Sequence, residues 1–486
     1  MTAATATADV RDAFLRARRA QAQWATTLIP DRKRIMLAFH DLVLDRQEEL
    51  LDVIQRETNK TRSDAFDEVM DVAITARHYA YRAARLLKDR RVKGALPLLT
   101  QTRVERDPVG VVGIIAPWNY PLSLAISDAI PALLAGNAVV LKPDVKTPRT
   151  AQLALRLLEE AGLPGEVMQV VEGSGETVGQ GIVAECDYLM FTGSTAVGRK
   201  LAAQAGERLI GFSAELGGKN PLIVCADADV ERAAQGAVTA CFSNAGQLCI
   251  SVERIYVHEA VADAFTARFV ELTQAMRLGQ AWTDDMGALI STDQLDRVSS
   301  LVDAAVTAGA RPLTGGRALP DLGPTYYAPT VLADVPADAE LHDDEVFGPV
   351  VYLETVASHD EAVARANDSA YGLNASVWGS VGTAREVAST LHSGTVNINE
   401  GFAAAWASVD APMGGWKASG VGRRHADDGL LKYTEPRTVA VQRLLPLRTL
   451  PCVATWLLAS SAPFTGYAVF GLETTFFALL VMLGTA

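Results

Sequence analysis

The 486-residue chain is poor in several things at once. Its five cysteines, at 186, 225, 241, 249 and 452, include no C-x-x-C pair and no Cys/His spacing of a metal site. That excludes a disulfide scaffold and a zinc module, so no metal is expected, and the odd, sparse set reads as free thiols in a reducing, cytoplasmic compartment. Positive charge is scarce too: the formal net charge of −13 excludes a nucleic-acid partner, which needs a basic face. The opening "MTAATATADVRDAFLRARRA" has no apolar core, so no secretory signal is expected there. No full G-x-G-x-x-G, internal repeat or low-complexity linker occurs. Between Leu444 and Ala486 charge itself is rare, with Arg448 and Glu473 alone.

What is present is apolar and long enough for at least two cored domains, with 49% hydrophobic residues. Helical spacing runs from Val10 to about Leu87, interrupted at Pro30-Asp31. The alternating "TQTRVER" suits an exposed strand or hairpin. From Gly110 onward short Val/Ile/Leu runs alternate with helical runs and Gly/Pro turns, and the style repeats over roughly 220–420. This predicts an α/β protein with two doubly wound parallel-sheet domains.

Several residues could carry chemistry, each with a plainer reading beside it. Cys249 in "SNAGQLCIS" has no histidine, lysine or carboxylate within three positions, and an unpaired cysteine is commonly a small buried hydrophobe. Ser194 in "FTGSTAVG" sits at a strand-to-helix turn where a phosphate can meet backbone N–H groups, although most such turns are only turns. Lys142 in "VVLKPD" ends a buried-looking strand, where open α/β sheets bind ligands; a solvated lysine is the commoner case. Glu215 in "SAELGGKNP" could be a base raised in pKa by apolar surroundings, or a surface glutamate. Asn119 in "APWNYP" could donate to an oxyanion, or simply make a turn.

Their order is more telling than any one of them. "PWNYP", "AGNAVVLKPD", "FTGSTAVG", "ELGGKNP", "NAGQLC", "DEVFGPV" and "APMGGWKASGVGR" stand in the order of the aldehyde dehydrogenase superfamily, which the chain resembles over about Val10 to Arg443. Within it the chain looks most like bacterial succinate-semialdehyde dehydrogenases. The resemblance implies NAD(P)-dependent oxidation of an aldehyde to a carboxylic acid, with succinic semialdehyde to succinate as the reaction of that subgroup. It implies Cys249 as nucleophile, Glu215 as general base and Asn119 as oxyanion donor. Trp118, Lys142, Ser194, Glu345 and Phe347 are implied as cofactor contacts, and a homo-oligomer, dimer or tetramer, as the assembly. It also implies a dinucleotide-binding domain from 1–89 and 109–216, a catalytic domain over 217–433, oligomerisation strands at 90–108 and 434–444, and an apolar tail over 445–486.

The departures from the family pattern concern cofactor and substrate. Val145 stands where NAD-selective relatives have a glutamate on the ribose hydroxyls, so NADP is expected, with NAD as the alternative. Ser127 and Ser243 replace two arginines that hold a distal carboxylate, a much weaker grip. Leu248, Ile250, Met413 and Tyr120, at substrate-tunnel positions, suit an uncharged or longer aldehyde. Arg424 replaces a glutamate after the Gly-Arg of "SGVGR". The stretch Leu450–Leu472 carries no charge, and a span needs roughly 20 apolar residues, but Pro451, Pro463 and Gly466 weaken it. Membrane anchor, lid over a partner's substrate mouth and packing extension therefore stay open for the tail. Three competing functions follow: a dehydrogenase of hydrophobic aldehydes at a membrane, a coenzyme A-acylating enzyme, which would not need Glu215, and a binding or structural protein on the same scaffold.

Overall fold

The computed structural model describes residues 3–94 and 100–442. The tail over 445–486, with Cys452, lies outside them. Among the described residues no helix is long and apolar enough to cross a membrane.

Four helices open the chain: Ala3–Trp24, Ile29–Asp45, Gln47–Thr58 and Arg62–Leu86. Pro30 lies in the first turn of the second, where its missing N–H costs no helical bond. The first large sheet follows. Its parallel strands lie side by side as Gly211–Glu215, Tyr188–Thr192, Val111–Ile115, Ala138–Lys142 and Met168–Val170. The strand first in sequence is thus central, and the order reverses between it and Tyr188–Thr192. In an open α/β sheet ligands bind outside the carboxyl ends at that reversal. Register aligns those ends: Ile115 pairs with both Phe191 and Lys142, and Thr192 pairs with Glu215. The strand residues Val111, Val140, Leu189 and Ala214 are fully or almost fully buried, which holds the edge above them in place.

Only Leu216-Gly217-Gly218-Lys219 separates Glu215 from Asn220–Val224, the first strand of the second sheet. That sheet runs Arg311–Thr314, Thr330–Ala333, Val350–Val356, Val252–His258, Asn220–Val224, Asn374–Trp378, Thr395–Ile398. Every pairing is parallel except the first. The carboxyl end of one sheet therefore runs directly into the amino end of the next. The short strand Gly420–Val421, expected with the second domain, crosses to the first sheet and pairs antiparallel with Gly211–Glu215, placing Gly420 opposite Glu215. A side chain at Gly420 would stand 2.5 Å from the Ala214 carbonyl, so glycine is required there.

Both sheets belong to one compact unit, which extends to Leu86 and resumes over Pro108–Thr434. A second unit contains, among the described residues, those of Leu87–Asp107 and Glu435–Gln442. It holds a three-stranded sheet, with Thr100–Pro108 between Arg90–Val92 and Thr434–Gln442. Arg437 forms ion pairs there with Glu105 and Asp107.

Candidate active site

Two cavities meet at the junction of the sheets, and Leu124, Thr192, Glu215 and Cys249 line both. The larger, about 240 Å³, lies at the strand-order reversal; Trp118, Asn119, Gly193, Ser194, Glu345 and Phe347 are among its walls. The smaller, about 30 Å³, runs past Tyr120, Leu248, Ile250, Phe402, Trp406 and Met413. Six of the expected site residues share the first cavity with Glu215, and five share the second with Glu215.

Local geometry explains why Cys249 is presented. Asn244, Ala245 and Gly246 are three successive residues with positive φ, at 51°, 56° and 68°. For asparagine and alanine that is a strained conformation. A Cβ at Gly246 would stand 2.1 Å from the Gly348 carbonyl, so this turn lies against the chain that follows Glu345 and Phe347. The Cys249 carbonyl accepts a hydrogen bond from Asn220 Nδ2 at 2.8 Å, which ties the loop to the first strand of the second sheet.

Asn119 is held on the opposite wall. Its Nδ2 donates to the Gln247 carbonyl at 3.0 Å, and an amide nitrogen has a second N–H to offer. Its carbonyl accepts from Lys60 Nζ at 2.7 Å, and the same ammonium donates to Glu68 Oε1 at 2.7 Å. Glu68 Oε2 in turn accepts from the Leu122 and Ser123 N–H groups at 2.8 and 3.2 Å. Lys60 Nζ also lies 4.0 Å from the centre of the Tyr120 ring. Both charges of this pair are fully buried. The sequence offers no signal for it: one lysine before a helix and one glutamate within it read as solvated. Lys60→Met is expected to cost about 3–5 kcal/mol by stranding the Glu68 charge. Lys60→Met with Glu68→Leu should recover most of that stability, measured by denaturant unfolding. Its kcat should stay low, because the 119–123 backbone still lacks its partners.

Electrostatics at the junction favour neutral acids. Burial pushes the Glu215 carboxyl up to about 7, against the pull of Arg424 and Lys432. Burial, reinforced by Glu215 and Glu345, pushes the Cys249 thiol up to about 12. Burial and Glu253 push Glu345 up to about 8, although its Oε1 accepts from the Gly218 N–H at 2.9 Å. Arg424 holds a position on the smaller cavity through a backbone bridge to Met413 and an ion pair with Asp128 at 2.5 Å.

The larger cavity fits a dinucleotide. The helix Thr195–Arg208 begins at its wall, with Ser194 as N-cap, and a helix N-terminus favours phosphate. Bare backbone lines it at Gly193 and Gly217: a Cβ would lie 2.6 Å from the Phe191 ring or from Glu345 Oε2. The Trp118 and Phe347 rings meet edge to face, 5.4 Å between centres. The Asn119 Oδ1, buried on the same wall, has no hydrogen-bond partner among the described residues.

Three expected residues line neither cavity. Lys142 ends its strand as expected, but it is 4% exposed and its Nζ donates to the Pro143 carbonyl at 3.0 Å. Ser127 donates to Asp71 Oδ2 at 2.6 Å, and Ser123, one turn earlier, stands at the cavity wall instead. Ser243 donates to the Thr239 carbonyl at 2.8 Å and borders an outer recess. Sequence reasoning also passed over Thr192, Gln294, Arg297, Phe402, Trp406 and Asp67, whose place at the cavities depends on strand register and loop packing.

The family model for the aldehyde dehydrogenase family matches residues 1–439. A protein of Mycolicibacterium smegmatis named "Putative succinate-semialdehyde dehydrogenase", NADP(+), is 55% identical over 442 residues, covering 90% of this chain and 86% of that one. A Mycobacterium ulcerans protein with the same name and the suffix 2 is 52% identical, covering 90% and 85%. Among solved structures, the NAD-dependent aldehyde dehydrogenase of Sinorhizobium meliloti is 36% identical with a TM-score of 0.86, covering 91% of this chain and 88% of that one. The chain belongs to the aldehyde dehydrogenase family.

Proposed function

We propose that Cys249, Glu215 and Asn119 oxidise a short aldehyde to its carboxylic acid, with NADP as preferred acceptor. The observation that carries this reading is that Cys249 and Glu215 together line both the cavity at the strand-order reversal and a narrow second one. The Cys249 sulfur forms a bond to the aldehyde carbon as its proton passes through water to solvent. The oxygen of the resulting thiohemiacetal is held by the second N–H of the Asn119 amide and the Cys249 backbone N–H; one such donor contributes on the order of 3 kcal/mol. Ser194, Trp118, Glu345 and Phe347 hold the cofactor, which supplies a hydride acceptor when bound. Glu215 then takes a proton from water, water attacks the thioester, the carbon–sulfur bond breaks, and the acid leaves. A water-activating base is what an acyl-hydrolysing enzyme needs and a coenzyme A-acylating one does not.

Succinic semialdehyde, the substrate in the relatives' names, is the reference substrate. The test is aldehyde-dependent formation of reduced cofactor and free acid, with and without coenzyme A. A requirement for coenzyme A would reverse the assignment of Glu215. For the cofactor, Val145 is 60% exposed just beyond Lys142, with no charge to repel a 2′-phosphate, and Lys146 Nζ lies 5.7 Å from the Trp118 ring centre. Higher kcat/KM with NADP than with NAD is expected. Val145→Glu should shift the ratio about tenfold toward NAD, since a new carboxylate repels phosphate and binds ribose hydroxyls. We further propose the three-stranded sheet of the second unit as an oligomerisation element, to be checked by light scattering.

A further inference from the structure

The narrow cavity has two ends. At the inner end are Cys249 and Glu215, shared with the larger cavity; at the outer end is Asp67, shared with a recess of about 540 Å³. An aldehyde whose carbonyl carbon reaches the Cys249 sulfur therefore extends its tail toward Asp67.

The Asp67 carboxylate takes part in no hydrogen bond or ion pair among the described residues, although its neighbours do. Asp64 accepts from Thr61 Oγ1 at 2.7 Å and from the Asn244 N–H at 3.2 Å. The Lys60 ammonium is engaged by Glu68 and the Asn119 carbonyl. The walls between the two ends include the rings of Tyr120, Phe402 and Trp406. Aromatic faces and a free carboxylate attract an ammonium group and offer nothing to a carboxylate. Among the described residues Arg424 is the one cation lining this cavity, at the Glu215 end and bound to Asp128, while Lys60 stands 4.0 Å from the Tyr120 ring centre. Ser127 and Ser243 bring no positive charge and direct their hydroxyls elsewhere.

Resting on the proposed reaction, we infer that Asp67 is the specificity-determining residue of the aldehyde cavity and selects an aldehyde with a cationic, ammonium-bearing tail over one with a carboxylate tail. The relatives' names point to the opposite charge, so the test is direct. Three four-carbon aldehydes are compared by kcat/KM: butanal, succinic semialdehyde, and one ending in trimethylammonium, which cannot cyclise onto its carbonyl. The wild type should prefer the ammonium tail over butanal, and butanal over the carboxylate, by about fivefold at each step, the size of a partly solvated charge contact. Asp67→Asn, and Asp67→Ser as a second variant, should bring the three values together, with the ammonium aldehyde losing and the carboxylate aldehyde gaining relative to butanal. A wild-type preference for succinic semialdehyde over butanal would overturn the inference and leave the proposed reaction standing. An ammonium preference that survives both substitutions would overturn the role of Asp67. Failure to oxidise any of the three would remove the proposed reaction and this inference with it.

Discussion

Glu215→Gln is expected to stop turnover at a covalent acyl-enzyme. The glutamine keeps the size of the side chain at the end of strand Gly211–Glu215, and so keeps the pairing with Gly420. It cannot accept a proton from water. Losing a positioned general base slows a step by about 10²- to 10⁴-fold. Intact mass spectrometry after addition of aldehyde and oxidised cofactor should show the Cys249 thioester, and single-turnover formation of reduced cofactor should exceed steady-state turnover. Free enzyme as the sole species during turnover would reject the assignment. The pH dependence has a definite sign. With its carboxyl at about 7, Glu215 is protonated below that pH and cannot serve as base; above it the carboxylate is available. Deacylation should therefore rise through about pH 7 in the wild type and lose that limb in Glu215→Gln.

Cys249→Ala should have the largest effect of all, a loss in kcat on the order of 10⁶-fold, as for removal of a covalent nucleophile elsewhere. Cofactor affinity should hold, because the walls that would grip a dinucleotide come from the first sheet and the Glu345–Phe347 loop. The thiol itself is not preset as a thiolate. Burial and two carboxylates push it up to about 12, so attack has to be coupled to proton removal. Reaction of Cys249 with a neutral alkylating agent should accordingly be slow at neutral pH and accelerate with alkali. Fast labelling of Cys249 at pH 7 would contradict that coupling. The other described cysteines, 186, 225 and 241, are fully buried and serve as internal controls.

How far the sequence reached can be judged residue by residue. The alternation of short apolar and helical runs was enough to expect the α/β architecture, and the family resemblance carried by motif order named Cys249, Glu215, Asn119, Ser194 and Glu345, which line one cavity. Lys142 was placed at a strand end, but its burial depends on packing around Pro143. Ser127, a substrate contact by sequence, donates to Asp71, as does Ser123 one turn earlier, but of the two only Ser123 lines the cavity. No one-dimensional pattern distinguishes those two serines, because they share one helix face and only tertiary packing decides which turn of that face meets the cavity.

By itself the sequence determined the residue types at the strand ends, the glycines that let backbone approach a ligand, and a net charge of −13. Tertiary structure alone decided that the carboxyl edge of one sheet would face the amino edge of the next, with only Leu216-Gly217-Gly218-Lys219 between them. It also decided that Lys60 and Glu68 would be buried behind Asn119, and that Asp67 would stand at the outer end of the passage. The physical reason is range. Turn chemistry acts over a few neighbouring residues, whereas the charge environment of a cavity is summed over side chains that only the packed fold brings together.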